Sequence, residues 1–79
     1  MYFVYIIISE KDIITYTGYS NNVKRRLAEH NSGRVNATKY RRPFKVLFTE
    51  ECEDLQKVKQ RELYWKSGGG RRKLKQFLK

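Results

Sequence analysis

The sequence predicts an α+β fold: a small three-stranded, mostly antiparallel sheet flanked by about three helices, in the order ββαβαα. Three observations predict it. Tyr2–Ile8 is an unbroken apolar and β-branched run, too short for a helix and closed by a polar turn. A second strand-like stretch stops at Gly18, and helical spacing follows at once. A third strand-like stretch, Phe44–Cys52, is again followed by helical spacing, this time up to Lys66.

Taken in order, Tyr2–Ile8 shows no alternation, so it reads as a strand covered on both faces. No basic region precedes it and no small-residue cleavage site follows, which favours a strand over a signal peptide. Ser9–Asp12 is a polar turn, and Ile13–Gly18 completes a hairpin. Ser20 or Asn21 caps a helix starting near Asn22, whose inward positions are Val23, Leu27 and His30. Asn31–Gly33 ends it, with Gly33 as a C-cap. Arg34–Pro43 is a basic loop, and "FKVLFTEEC" alternates well enough for a third strand. Glu53–Lys66 is a second helix capped by Glu53 or Asp54. Ser67–Gly70 breaks it as a flexible joint. Arg71–Lys79 forms a short third helix with Leu74, Phe77 and Leu78 on one side.

At 79 residues the chain is one domain, 1–79, near the lower limit for a self-sufficient core. Six tyrosines, four phenylalanines and one tryptophan help fill that core. The single cysteine, Cys52, excludes an internal disulfide and fits a reducing, cytoplasmic setting. No apolar run approaches the roughly 20 residues that span a bilayer. Eighteen Lys and Arg against eight Asp and Glu leave a net charge of +10, which points to a polyanionic partner, nucleic acid before a membrane surface.

Several polar residues stand where apolar ones are expected. Leu55, Val58, Glu62 and Trp65 form one helical stripe, and its one carboxylate needs a cation beside it. An arginine and a divalent metal both satisfy that need. Arg26 and His30 are four apart on the first helix, beside the Val23–Leu27 seam. A guanidinium held by apolar packing is oriented for phosphate oxygens. His30 either fills the helix's inner edge, donates to a phosphate or relays a proton. Tyr5 and Tyr16, with Gly18 on the face of Tyr16, bring two hydroxyls to adjacent strands.

This constellation resembles the GIY-YIG nuclease domain, over nearly the whole chain, and its small stand-alone members most of all. "VY" at Val4–Tyr5 stands at the first tyrosine motif and "YTG" at Tyr16–Gly18 at the second. Arg26 stands at the helix arginine, His30 one turn later, and Glu62 in "KQREL" at the metal-binding glutamate. The first motif lacks its glycine, Thr17 replaces an isoleucine, and Tyr19 replaces a lysine carried by the excision-repair members.

The resemblance implies a metal-dependent endonuclease acting on DNA, with RNA possible, and a link to DNA repair. Tyr5, Tyr16, Gly18, Arg26, His30 and Glu62 would be its catalytic set, and Glu62 would hold one Mg²⁺ or Mn²⁺. Tyr5 would be the general base, or Tyr16 in its place, with cations lowering its pKa and the rate climbing through the alkaline range. Gly18 would let the strand end approach the substrate backbone. Lys39, Arg41, Arg42, Arg71, Arg72, Lys73 and Lys75 would track phosphates with little sequence preference. A monomer or weak homodimer is expected. The competing reading is a DNA- or RNA-binding module without catalysis.

Overall fold

The computed structural model describes residues 1–76 of the 79-residue chain. Three strands and three helices follow in the expected order: β1 (Tyr2–Ser9), β2 (Thr15–Ser20), α1 (Val23–Asn31), β3 (Phe44–Cys52), α2 (Leu55–Lys66) and α3 (Gly68–Lys75). The sheet order is β2-β1-β3, and both pairings are antiparallel. The apolar run is therefore the central strand. Val4 and Ile6 pack with Val58, Trp65 and Leu74 beneath α2 and α3, while Tyr5 and Ile7 pack with Phe44, Val23 and Leu27 beneath α1. A strand covered on both faces needs this unbroken apolar pattern.

β3 feeds both layers because its register slips. Ile6 faces Phe48 but Ile7 faces Val46, so Leu47 is an extra residue in the strand. Side chains change faces across that bulge. Phe48 and Cys52 join the α2 side, and Phe44, at an even number like them, joins the α1 side.

Element ends differ in three places from the sequence reading. β2 begins at Thr15, not Ile13, because the Asp12 carboxylate accepts the Ile14 N–H (3.0 Å) and holds Ile13 and Ile14 in the hairpin tip. The α1 cap is Asn22, whose Oδ1 accepts the Arg25 N–H at 3.0 Å. Ser20 is spent on the preceding turn, accepting the Asn22 N–H. Asp54, one of the two caps expected, does cap α2 through the Lys57 N–H. The glycine run is not a flexible joint, since Gly68–Gly70 is the first turn of α3, capped by Ser67. A Cβ at residue 70 would sit 2.2 Å from the Tyr64 carbonyl oxygen and 2.5 Å from Trp65 Cα. Gly70 thus lets α3 start against the backbone of α2. The expected third-helix positions Phe77 and Leu78 lie outside the described residues.

Gly33 follows α1 with φ +85°, as a C-terminal glycine does. Next to it the Asn31 side chain binds both backbone groups of Phe44, at 2.7 and 3.0 Å. This clamps the end of α1 to the start of β3.

Candidate active site

β1 and β2 place Tyr5 opposite Gly18. The phenol lies across the glycine, where a Cβ would be 2.7 Å from its oxygen and 2.9 Å from Cζ. Tyr5 takes the space that the missing Cβ of Gly18 leaves. From there the Tyr5 hydroxyl reaches His30 Nε2 on α1 at 2.9 Å. Both residues are sealed, Tyr5 at 1% and His30 at 0% exposure.

His30 Nδ1 in turn meets Thr38 Oγ1 at 2.8 Å. Thr38 has one hydroxyl proton, directed to the Val35 carbonyl at 3.4 Å. Its oxygen is then an acceptor, so Nδ1 carries the imidazole proton and Nε2 accepts from Tyr5. Tyr16 completes the cluster, its ring 4.9 Å from that of His30 and 6.4 Å from that of Tyr5. With both nitrogens engaged and no exposed surface, His30 holds the Tyr5 hydroxyl and presents no free atom to the cleft.

Burial sets the protonation states. It pushes the Tyr5 hydroxyl above its ordinary value, and the Arg26 guanidinium beside it pulls back only part of the way. Among the groups of this chain, desolvation of the phenolate outweighs the one nearby guanidinium, so Arg26 alone does not lower this pKa. Burial, then Arg26, holds His30 below the ordinary imidazole range. At neutral pH the pair is therefore a phenol donating to a neutral imidazole.

Tyr5, Tyr16 and Gly18 line an open cleft of ≈ 510 Å³ together with Arg25, Arg26, Glu29 and Glu62. Arg26 Nη1 pairs with Glu29 Oε1 at 2.8 Å, one turn along α1. That carboxylate orients the guanidinium and holds its pKa above the usual arginine value. Glu62 comes from α2 at 16% side-chain exposure and meets Lys66 Nζ at 3.5 Å. The carboxylate in the apolar stripe is thus paired with a lysine, with room on the cleft side. No cluster of three or more His, Cys, Asp or Glu positioned for a metal occurs among the described residues. A site of one carboxylate still suits Mg²⁺, which keeps several waters and shares substrate phosphates.

The GIY-YIG catalytic-domain family matches residues 1–75. The chain belongs to the GIY-YIG family. This is a superfamily of nucleases. The chain is similar to UPF0213 proteins. It is 44% identical to that of Syntrophus aciditrophicus over 63 residues, covering 76% of this chain and 70% of the relative. For Desulfotalea psychrophila the values are 40% over 63 residues, 77% of this chain and 56% of the relative. For Staphylococcus haemolyticus they are 37% over 75 residues, 94% and 90%. No solved structure matches the chain significantly.

The basic residues expected along the nucleic acid lie outside this GIY-YIG cleft. Arg41 pairs with Asp12 at 2.7 Å, Lys39 lies over the Tyr40 ring, and the Arg42 guanidinium lies against Gly33. Lys73 sits 5.8 Å from the Trp65 ring centre, and Arg71 and Lys75 line a second groove. Arg72 is exposed. Three contributors escaped the sequence reading. Glu29 was signalled by its three-residue spacing from Arg26. Glu50 accepts Arg61 bidentately at 2.8 and 2.9 Å and the Trp65 indole N–H at 3.1 Å, which fixes α2 on β3. Thr38 carried no signal, since only the folded loop brings it to His30.

Proposed function

We propose that the protein is a divalent-metal-dependent endonuclease that hydrolyses phosphodiester bonds in DNA. The observation that carries this reading is the Tyr5–His30–Thr38 chain of hydrogen bonds, ending in a cleft that also holds Arg26 and Glu62. A structural tyrosine needs one partner for its hydroxyl. This one has a buried acceptor behind it and itself lines the cleft that holds Arg26 and Glu62.

A water placed in the cleft would lose a proton to the Tyr5 oxygen as Tyr5 passes its own proton to His30 Nε2. Thr38 holds the imidazole in the tautomer that can accept. Tyr16 confines the ring and the attacking water. Arg26 leaves part of its pairing with Glu29 to bind the scissile phosphate and the charge that grows on it. Glu62 would hold Mg²⁺ or Mn²⁺, which supplies charge neutralisation at the phosphate and leaving oxygen.

The relay makes a prediction of its own. The acid limb of the rate profile follows His30, below pH 6.5, and the rate is flat from neutral to mildly alkaline pH. A rate that climbs through pH 9–10 would mean instead that a Tyr5 phenolate acts as the base.

The deciding experiment measures cleavage of labelled DNA and RNA structures with Mg²⁺ or Mn²⁺ by wild type, Glu62→Gln and Arg26→Ala. We expect metal-dependent cutting of DNA, with a loss of about 10²–10³-fold in each variant at retained binding. Binding of every structure with cutting of none would replace the nuclease by a nucleic-acid-binding module.

A further inference from the structure

Beside the cleft runs a second groove of ≈ 520 Å³, between the β1–β2 hairpin and the α2–α3 corner. Ile13, Ile14 and Tyr16 line it from the hairpin, and Lys66, Arg71 and Lys75 from the helices. No acidic side chain lines it among the described residues. This contrasts with the cleft, where Glu29 and Glu62 offset Arg25 and Arg26. Ile13 is 80% exposed and Ile14 45%. Lone exposed isoleucines need no explanation, but two in succession facing Arg71, Lys75 and the Glu62-paired Lys66 form an amphipathic surface.

The groove adjoins the candidate site at Tyr16. Tyr16 lines both, and Lys66 lines the groove while pairing with Glu62 in the cleft. A strand whose phosphate sits on Arg26 therefore finds the groove on leaving the cleft. A base-paired strand has no free base to offer an apolar wall, whereas an unpaired one does.

We infer that this groove binds an unpaired DNA strand running on from the scissile phosphate, with its phosphates on Lys66, Arg71 and Lys75 and its bases and deoxyriboses against Ile13, Ile14 and Tyr16. The inference rests on the nuclease reading for the position of that phosphate. It makes the preferred substrate a junction between paired and unpaired DNA. Deoxyribose fits better than ribose, because a 2′-hydroxyl against the isoleucines would lose its water without gaining a partner.

The test is equilibrium binding in EDTA, by fluorescence anisotropy, of a blunt duplex and of the same duplex with a six-nucleotide single-stranded DNA or RNA tail. Without metal nothing is cut, so the result does not depend on activity. Wild type should bind the DNA-tailed duplex about tenfold tighter than the blunt one, and the RNA-tailed duplex less tightly than the DNA-tailed. Ile13→Ser, at an exposed loop position, should remove most of the tail advantage. Arg71→Ala/Lys75→Ala should remove it too and flatten the log K against log salt slope by about 1.4, at roughly 0.7 per single-strand phosphate. Circular dichroism checks that each variant is folded. A wild type with no tail advantage overturns the inference, as does an RNA tail bound better than DNA. A tail advantage that survives all three substitutions also overturns it and gives the groove to another occupant, such as residues 77–79 or a protein. Cleavage of blunt duplex in the separate activity assay would leave the nuclease reading standing in each of those cases.

Discussion

Replacing Gly18 by alanine should disable the site without touching a charged group. The added Cβ would stand 2.7 Å from the Tyr5 oxygen and 2.9 Å from Cζ, against 3.4 Å for ordinary contact. The phenol must retreat by about 0.5–0.7 Å, and it is sealed among Ile7, Phe44 and His30. Overpacking of that size costs about 1–3 kcal/mol. In a domain this small the melting temperature should fall on the order of 10 °C. The same retreat stretches the 2.9 Å bond to His30, and single-turnover cleavage should drop by about 10–100-fold.

Urea denaturation of a double-mutant cycle measures the effect. Tyr5→Phe alone leaves His30 Nε2 unpaired at a cost of about 1–3 kcal/mol. In that background Gly18→Ala meets no hydroxyl, so its own cost should shrink by about 1 kcal/mol, beyond the roughly 0.5 kcal/mol scatter of independent sites. Gly33→Ala is the control. Its φ of +85° makes it destabilising by about 1–2 kcal/mol, yet it lines no part of the cleft, so cleavage should persist. Additive Gly18 and Tyr5 costs would refute the close approach as the reason for the glycine.

Stability should depend on pH at both ends. The unfolded chain protonates His30 near pH 6.5 while the folded imidazole resists, so stability is full above that pH and falls as the pH drops, and His30→Gln should flatten the slope below pH 6.5 in urea titrations. Tyr5 is raised in the folded state, so stability should be full below pH 10 and decline as the pH rises past it, an effect that Tyr5→Phe removes. Lys66→Ala frees Glu62 from an exposed partner and should tighten Mn²⁺ binding up to about fivefold by calorimetry, and unchanged affinity would mean that the lysine does not compete. Glu50→Ala leaves Arg61 and the Trp65 indole N–H without their acceptor and should cost about 1–2 kcal/mol in thermal unfolding.

The sequence by itself determined the order of elements, the burial of Tyr2–Ile8 on both faces and the helical stripe that carries Glu62. These follow from periodicity and capping, which are local properties of the chain. Local pattern also put Arg26 and His30 on one helix face, since four residues make about one turn. It did not determine that His30 would bridge Tyr5 and Thr38. That depends on a loop returning across α1, a contact between residues eight apart with no periodic trace. Sequence reads Gly18 as clearance for a substrate backbone and Ser67–Gly70 as a flexible joint. In the fold, Gly18 and Gly70 are clearances, each required by an atom brought up by a neighbouring element, the Tyr5 phenol or the Tyr64–Trp65 backbone. Tertiary structure likewise decided the direction of the Tyr5 shift. Sequence supplied the cation that lowers the pKa, but only packing fixed how completely the phenol is desolvated, and desolvation prevails.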